Sequence, residues 1–317
     1  MTTDSYPFHR ILIPFDGSPS AHKALEWAAH LAQAGGEAVE KVTLLRVIGG
    51  GYLARHIQNV DLRVTRMDQL EAWRRVRKHH LDHEIQPLLE KGKQILRDRG
   101  VAAPIETRVV EGKIGGEIIR MADEGGYSTI VMGRRGLSPI KGLLLGSVTR
   151  HVLSLAQKMT IFVVSPDSVF NLDCPVSPLL LPVDGSEPSL TAVRQGVALA
   201  MSFKACEPWL TLLHVIDSGL LGSAYAEGTA PLIEEGEKIV ATSRRVLEEA
   251  GLQDMVAEKL LAGQPARVIA EEAEKGHYSL ILMGARGLSP LKQLILGSVS
   301  SDVLSDVSRL IVGIVYP

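Results

Sequence analysis

Charge of one sign, aromatic rings, cysteine and long apolar runs are all scarce in this chain of 317 residues. Lys and Arg number 34 against 36 Asp and Glu, a formal net charge of -2. A generic nucleic-acid coat needs an excess of cations to displace counterions, so that class is excluded, although a local basic patch is compatible with the count. No window approaches the ~18 to 20 uninterrupted apolar residues of a membrane span. The N-terminal MTTDSYPFHR lacks the basic-then-apolar order of a secretory leader, and the expectation is a cytoplasmic protein. Cys174 and Cys206 are the whole complement of cysteine, with no CxxC or Cys/His ligand spacing. They read as packing residues of a reducing compartment, without a structural metal. Phosphate loops of known type are missing as well. There is no G-x4-G-K-[S/T], no G-x-G-x-x-G after a strand and no SGGxDS.

What the chain does contain is a duplication. VMGRRGLSPIKGLLLGSVTRHVL (131–153) returns as LMGARGLSPLKQLILGSVSSDVL (282–304), identical at 15 of 23 positions. ILIPFDGSPS (11–20) likewise returns as LLLPVDGSEPS (179–189). The offset is 151 in the first match and 168 in the second, so the first half carries 17 additional residues between these landmarks. LLRVI (44–48) and LLHVI (212–216) still align at 168, which places the extra length after position 48, in an insertion at about 49–100. A period this long means tandem domains, not a short-repeat solenoid. The expected division is 1–165, a proline-rich linker 166–178, and 179–317.

Each half alternates short Val/Ile/Leu runs with helical patterns. In the first, ILIPF ends at the turn DGSPS, and Ala21, Leu25, Ala28, Ala29 and Ala32 form one helical face before a glycine pair. VTLLRVI, IETRVVEG, STIVMG and TIFVVSP read as further strands, and the second half repeats the pattern. Apolar strands joined by helices predict an α/β fold, two doubly wound five-stranded parallel sheets with right-handed crossovers. The last strands, IFVV and LIVGIV, are too apolar to be exposed edges, and their pairing across a pseudo-two-fold would make the chain an intramolecular pseudo-dimer.

Open parallel sheets bind ligands beyond the carboxyl ends of their strands. There the chain places Asp16 and Asp184, after strand one of each half, and the spacing Gly133-x2-Gly136-x9-Gly146-Ser147, repeated as Gly284-x2-Gly287-x9-Gly297-Ser298. Glycine lets backbone approach an anion, a helix start favours phosphate, and a carboxylate accepts from paired ribose hydroxyls. A lone Gly-x2-Gly is a turn and a lone Asp-Gly-Ser is a cap; both features together, twice, describe a nucleotide pocket.

With these motifs the chain resembles the universal stress protein family, in its nucleotide-binding, tandem form, over all but the insertion and linker. The resemblance implies a Rossmann-like strand order 3-2-1-4-5, pairing of last strands, and ATP, ADP or AMP as ligand, with magnesium as an accompanying ion. It implies a first site of Pro14, Asp16, Val47, Met132, Gly133, Arg135, Gly136, Gly146, Ser147 and Val148. The second is Pro182, Asp184, Val215, Met283, Gly284, Arg286, Gly287, Gly297, Ser298 and Val299. A stress-responsive or energy-sensing role, exerted through nucleotide-dependent conformation or partner binding, rests on the resemblance alone.

Charge separates the two sites. Arg134 and Arg150 stand where the second half has Ala285 and Ser301, and Asp302 adds a negative charge to the second, so tighter ATP binding is expected at the first. Lys141 and Lys292 are matched loop lysines that read either as contacts for a terminal phosphate or as solvated loop residues. The stretch from Tyr52 to Gly100 has 11 Lys/Arg against 7 Asp/Glu, including RRVRKHH, with Met67, Leu70, Trp73 and Val76 at helical spacing and Pro87 marking a kink or new first turn. It reads as a basic helical excursion, either solvated or a docking surface for an acidic protein partner or an anionic membrane surface. His79 and His83 lie one helical turn apart, but no carboxylate or Cys completes a metal set. No nucleophile stands beside a base at either pocket, so dedicated catalysis is not indicated. Two alternatives are a weak ATPase or autophosphorylating enzyme using Ser147, and a ligand-free scaffold acting through the insertion. A homodimer is the further assembly considered.

Overall fold

The computed structural model describes residues 6–49, 74–137, 145–171, 174–219, 229–287 and 296–317. In the first half, β1 (Arg10–Pro14), α1 (Pro19–Gly35), β2 (Lys41–Ile48) and α2 (Gln86–Asp98) are followed by β3 (Ile105–Glu111), α3 (Ile114–Glu124), β4 (Thr129–Gly133), α4 (Ser147–Leu155) and β5 (Thr160–Val164). The second half repeats this as β6 (Leu179–Pro182), α5 (Glu187–Ser202), β7 (Leu210–Asp217), α6 (Ala230–Glu249), β8 (Val256–Gly263), α7 (Pro265–Lys275), β9 (Leu280–Gly284), α8 (Ser298–Asp306) and β10 (Ile311–Val315).

All ten strands join one sheet in the order β3-β2-β1-β4-β5-β10-β9-β6-β7-β8. Within each half the order is therefore 3-2-1-4-5 and every pair is parallel. The seam between halves is the antiparallel pair β5–β10, with Val163 opposite Val312 and Phe162 opposite Gly313. Every residue of these two strands is buried, so their pairing removes the apolar edges that each half would otherwise expose. The outer edges, β3 and β8, carry charge instead, among them Glu106, Arg108, Glu258 and Lys259.

Side-chain alternation divides the core into two layers, each continuous across the seam. Ile11, Ile13, Leu44, Val131 and Phe162 face α1, α2, α5 and α6, while Leu12, Leu45, Ile130, Met132 and Ile161 face α3, α4, α7 and α8. Phe162 anchors the first layer, edge-on to Phe8 at 5.4 Å and to Trp27 at 5.7 Å between centroids.

Two features depart from the sequence expectations. Cys174 and Cys206 are joined in a disulfide, with Cα atoms 5.7 Å apart. The segment between β5 and β6 folds back on the end of α5, so cysteines with no motif spacing meet through the tertiary fold; this corrects their reading as unlinked packing residues and the redox argument drawn from it. In the insertion, residues 74–80 are helical and pass through a π turn, Leu81–Ile85, into α2. Pro87 explains the break. It has no N–H to donate back along the helix, and the register slips so that Gln86 N reaches Leu81 O. Met67, Leu70 and Trp73 lie outside the described residues.

Candidate functional site

Each crevice starts at an Asp-Gly-Ser turn. Asp16 Oδ1 accepts from Ser18 N at 2.9 Å, Gly17 takes a left-handed φ of 79°, and Ser18 caps α1 by accepting from Ala21 N at 3.2 Å. The second half does the same: Asp184 Oδ1 accepts from Ser186 N at 3.0 Å, Gly185 has φ 80°, and Ser186 caps α5 through Ser189 N at 3.3 Å. A residue with a Cβ is strained at the middle position, which explains the identical triplets.

The turn leaves the second carboxylate oxygen facing the glycine loop. Asp16 Oδ2 accepts from Leu137 N at 3.2 Å, and a Cβ on Gly136 would fall 2.6 Å from the same oxygen. Gly287 is pressed against Asp184 Oδ2 in the same manner. The two bonds that Asp16 accepts from Ser18 N and Leu137 N, and the two that Asp184 accepts from Ser186 N and Oγ, do not exhaust an ionised carboxylate, which offers about four lone-pair positions.

The remaining glycines serve the protein itself. A Cβ on Gly133 would meet the Ser20 carbonyl carbon at 2.8 Å, so the end of β4 packs directly on the first turn of α1; Gly284 packs on Pro188 and Ser189 likewise. Gly146 N donates to Arg134 O at 3.0 Å, and Gly297 N to Ala285 O at 2.7 Å, closing each loop at the foot of the next helix. Thr149 Oγ1 completes the closure with bonds to Gly133 O at 3.0 Å and Arg134 O at 3.2 Å, as Ser300 Oγ does to Gly284 O at 2.9 Å. Sequence reasoning passed over this hydroxyl, although a Thr or Ser recurs at that place in both repeats.

Ser147 and Ser298 are the first residues of α4 and α8 and are exposed. Neither is a cap: that position belongs to Gly146 and Gly297, and among the described residues no side chain caps either helix. The amide groups at these helix starts therefore present a positive dipole end beside the glycine loop. Val148 and Val299 follow, half-buried. Pro14 and Pro182 end strand one of each half, while Val47 and Val215 lie beyond that end on the longer neighbouring strand, since Pro14 pairs with Leu45 and Pro182 with Leu213. Met132 and Met283 are buried in the second core layer, which leaves only their backbone for the crevice. Arg135 is half-buried and Arg286 exposed; their carbonyls lie 3.3 and 3.4 Å from Ser18 Oγ and Ser186 Oγ. Lys141 and Lys292 lie outside the described residues.

The Arg134 side chain turns away from the crevice. It is 4% exposed, and its guanidinium crosses the seam to donate to Val307 O and Leu304 O and, at 3.2 Å, to Ser305 O at the end of α8. Burial, with help from Arg135, pulls its pKa down to about 10, still charged at neutral pH. The charge contrast between crevices therefore rests on Arg150 and Asp302, both exposed. In the insertion, Arg74, Arg75, Arg77 and Lys78 are exposed, and Arg77 pairs with Glu111 of β3. His79 and His83 stack at 4.1 Å between ring centroids, while His80 turns inward beside Glu84.

Fold and crevices together define a tandem of doubly wound α/β units, each with a strand-end carboxylate held against a glycine loop and an uncapped helix start. The chain belongs to the Universal stress protein family, whose profile matches residues 7–163 and 176–309. It is similar to Universal stress protein Rv1996 of Mycobacterium tuberculosis, 26% identical over 93% of this chain and 91% of that one. Universal stress protein Slr1230 of Synechocystis is 28% identical over 94% and 96%. A universal stress protein crystal structure from Archaeoglobus fulgidus shares the fold over 98% of both chains, with TM-score 0.68 and 22% identity. No described helix is long and apolar enough to cross a membrane.

Proposed function

We propose that each half binds one adenine nucleotide at the carboxyl end of its strands, and that this chain is an ATP-binding, stress- or energy-responsive protein acting through nucleotide-dependent conformation or partner binding. The observation that carries this reading is the contact of Asp16 with the glycine loop, through Leu137 N and Gly136, repeated between Asp184 and Gly287. A carboxylate with spare acceptor capacity stands there beside a loop without side chains at its closest point and an uncapped helix start. Acceptors suit ribose hydroxyls, and amide donors with a dipole suit phosphate oxygens. The donor set thus fits a nucleotide at both places.

In this assignment Asp16 and Asp184 orient the sugar, backbone near Val47 and Val215 flanks the base, and Gly136, Ser147 and their counterparts receive the phosphates, while Gly146 and Gly297, whose amides are already bonded to Arg134 O and Ala285 O, hold each loop at the helix start. Magnesium would be carried on the phosphates, since Mg2+ commonly binds through one or two carboxylates plus substrate phosphates. Family membership supports the reading. The experiment is mass analysis of what co-purifies with the protein, with its 260/280 absorbance ratio, followed by a melting-temperature titration with ATP. Bound adenine nucleotide and a rise in melting temperature are expected; neither co-purified nucleotide nor any shift at millimolar ATP would reject the proposal.

A further inference from the structure

The two halves hold each other by different residues at equivalent places. In one direction, Arg134 of the first half donates to Leu304 O at the end of α8. In the other, Tyr316 of the second half donates from its hydroxyl to Leu153 O at the end of α4, at 2.6 Å. Leu153 and Leu304 are the same position of the repeat, 151 residues apart. The donors are not. Arg134 matches Ala285, and Tyr316 matches Ser165, so each half pairs one long donor-bearing side chain with one small one, in opposite order. All four are buried.

The difference matters because of where each donor is rooted. Arg134 lies inside the glycine loop of the first crevice: its carbonyl receives Gly146 N and Thr149 Oγ1, and its amide donates to Val164 O. The same residue therefore closes the first loop with its backbone and grips the far end of α8 with its side chain. The near end of α8 is Ser298, at the second crevice. Tyr316, one residue past β10, belongs to neither loop. Ala285 closes the second loop through its own carbonyl but has no side chain to send across.

Resting on the nucleotide assignment above, we propose that Arg134 is a positioning residue that couples the two nucleotide sites. Nucleotide contact at Gly136 and at the start of α4 displaces the Arg134 backbone, and its guanidinium passes that shift to α8, whose other end frames the second site. Coupling between binding sites is reciprocal, so ATP at the second site changes affinity at the first by the same factor. The packed helix and buried bonds form the connected physical path that such coupling uses.

The test is calorimetry with ATP on the full-length protein. Single-site affinities come from Asp16→Asn and Asp184→Asn, and stepwise affinities from the intact chain. Arg134→Ala/Ser165→Tyr transplants the second half's solution into the first: it supplies a hydroxyl for Leu304 O while freeing the loop from the donor. Stepwise and single-site affinities should differ by about fivefold or more in the wild type, and agree in the double variant. Melting temperature separates this from a merely structural role: Arg134→Ala should lower it, and adding Ser165→Tyr should restore most of the loss without restoring coupling. Ala285→Arg/Tyr316→Ser, which adds a second loop-rooted donor, should enlarge the coupling. Independent sites in the wild type, or unchanged coupling in both double variants, would overturn the proposal while leaving nucleotide binding intact. Absence of ATP binding would reject the nucleotide assignment and the coupling with it.

Discussion

Phe162 and Gly313 lie opposite each other in the antiparallel pair of β5 and β10, and they are the same position of the two halves. A pair that maps onto itself marks the pseudo-two-fold axis. A Cβ on Gly313 would come 2.9 Å from Phe162 Cε1 and 2.5 Å from Leu282 Cδ1, so a ring fits on one side only because the other has none. Gly313→Val should therefore lower stability by about 1 to 3 kcal/mol, the cost of overpacking a core. Phe162→Ala should cost about 3 to 5 kcal/mol through the cavity left beside Trp27 and Phe8. Thermal melts of the two variants check both figures, and a neutral Gly313→Val would contradict the packing described.

The disulfide gives a second prediction. Cys174 and Cys206 are 32 residues apart, and closing a loop of that length restricts the unfolded chain by about 3 to 4 kcal/mol in the chain-entropy model. Cys174→Ser, or reduction of the native protein, should lower the melting temperature. Both crevices lie at the strand ends, away from this bond, so ATP affinity should be unchanged in the same samples. A loss of affinity on reduction would show that the linker reaches the sites.

His30 sets a pH dependence. Burial, then the charges of Arg99 and Lys23, hold its pKa below the usual 6.5, against an opposing pull from Glu26. The unfolded chain then binds a proton below pH 6.5 that the folded chain resists, so stability falls as pH drops through that value. His30→Gln should flatten this part of the profile of melting temperature against pH; an unchanged slope would assign it to other groups.

The two sites should differ in affinity for a reason narrower than the sequence suggested. With Arg134 turned across the seam, the contrast is Arg150 against Ser301, with Asp302 beside the latter. An exposed charge near a helix start is worth roughly 0.3 to 1 kcal/mol. Arg150→Ser should therefore weaken the first site by about two- to fivefold, and Asp302→Asn should strengthen the second. Calorimetry in single-site variants reads both, and no change in either would remove electrostatics as the source of the asymmetry.

Much of this architecture was legible because its signals are local. Val/Ile/Leu runs at repeated intervals define buried parallel strands, and the copied DGS and G-x2-G-x9-G-S segments mark the turns and glycine loops that meet at the strand ends. What escaped depends on direction and tertiary contact. Arg134 sits between two motif glycines, but strand alternation puts its side chain on the face of Met132, toward the opposite half. Sequence adjacency assigned it to the crevice; the period of two assigns it to the seam. Cys174 and Cys206 have no ligand spacing, so only the fold brings them together. The π turn at Leu81–Ile85 follows from Pro87, whose presence signalled a break but not its form. Gly133 and Gly284, read as room for an anion, make room for a helix.

The central claim is two nucleotide sites, each built on a strand-end aspartate, and the most direct measurement is ATP stoichiometry. Asp16→Asn keeps an oxygen for the Ser18 amide while removing the charge, and Asp184→Asn does the same for Ser186. Titration should give two ATP per chain in the wild type, one in either variant and none in the double. Failure of the wild type to bind, or an unchanged stoichiometry of two in the double variant, would contradict it.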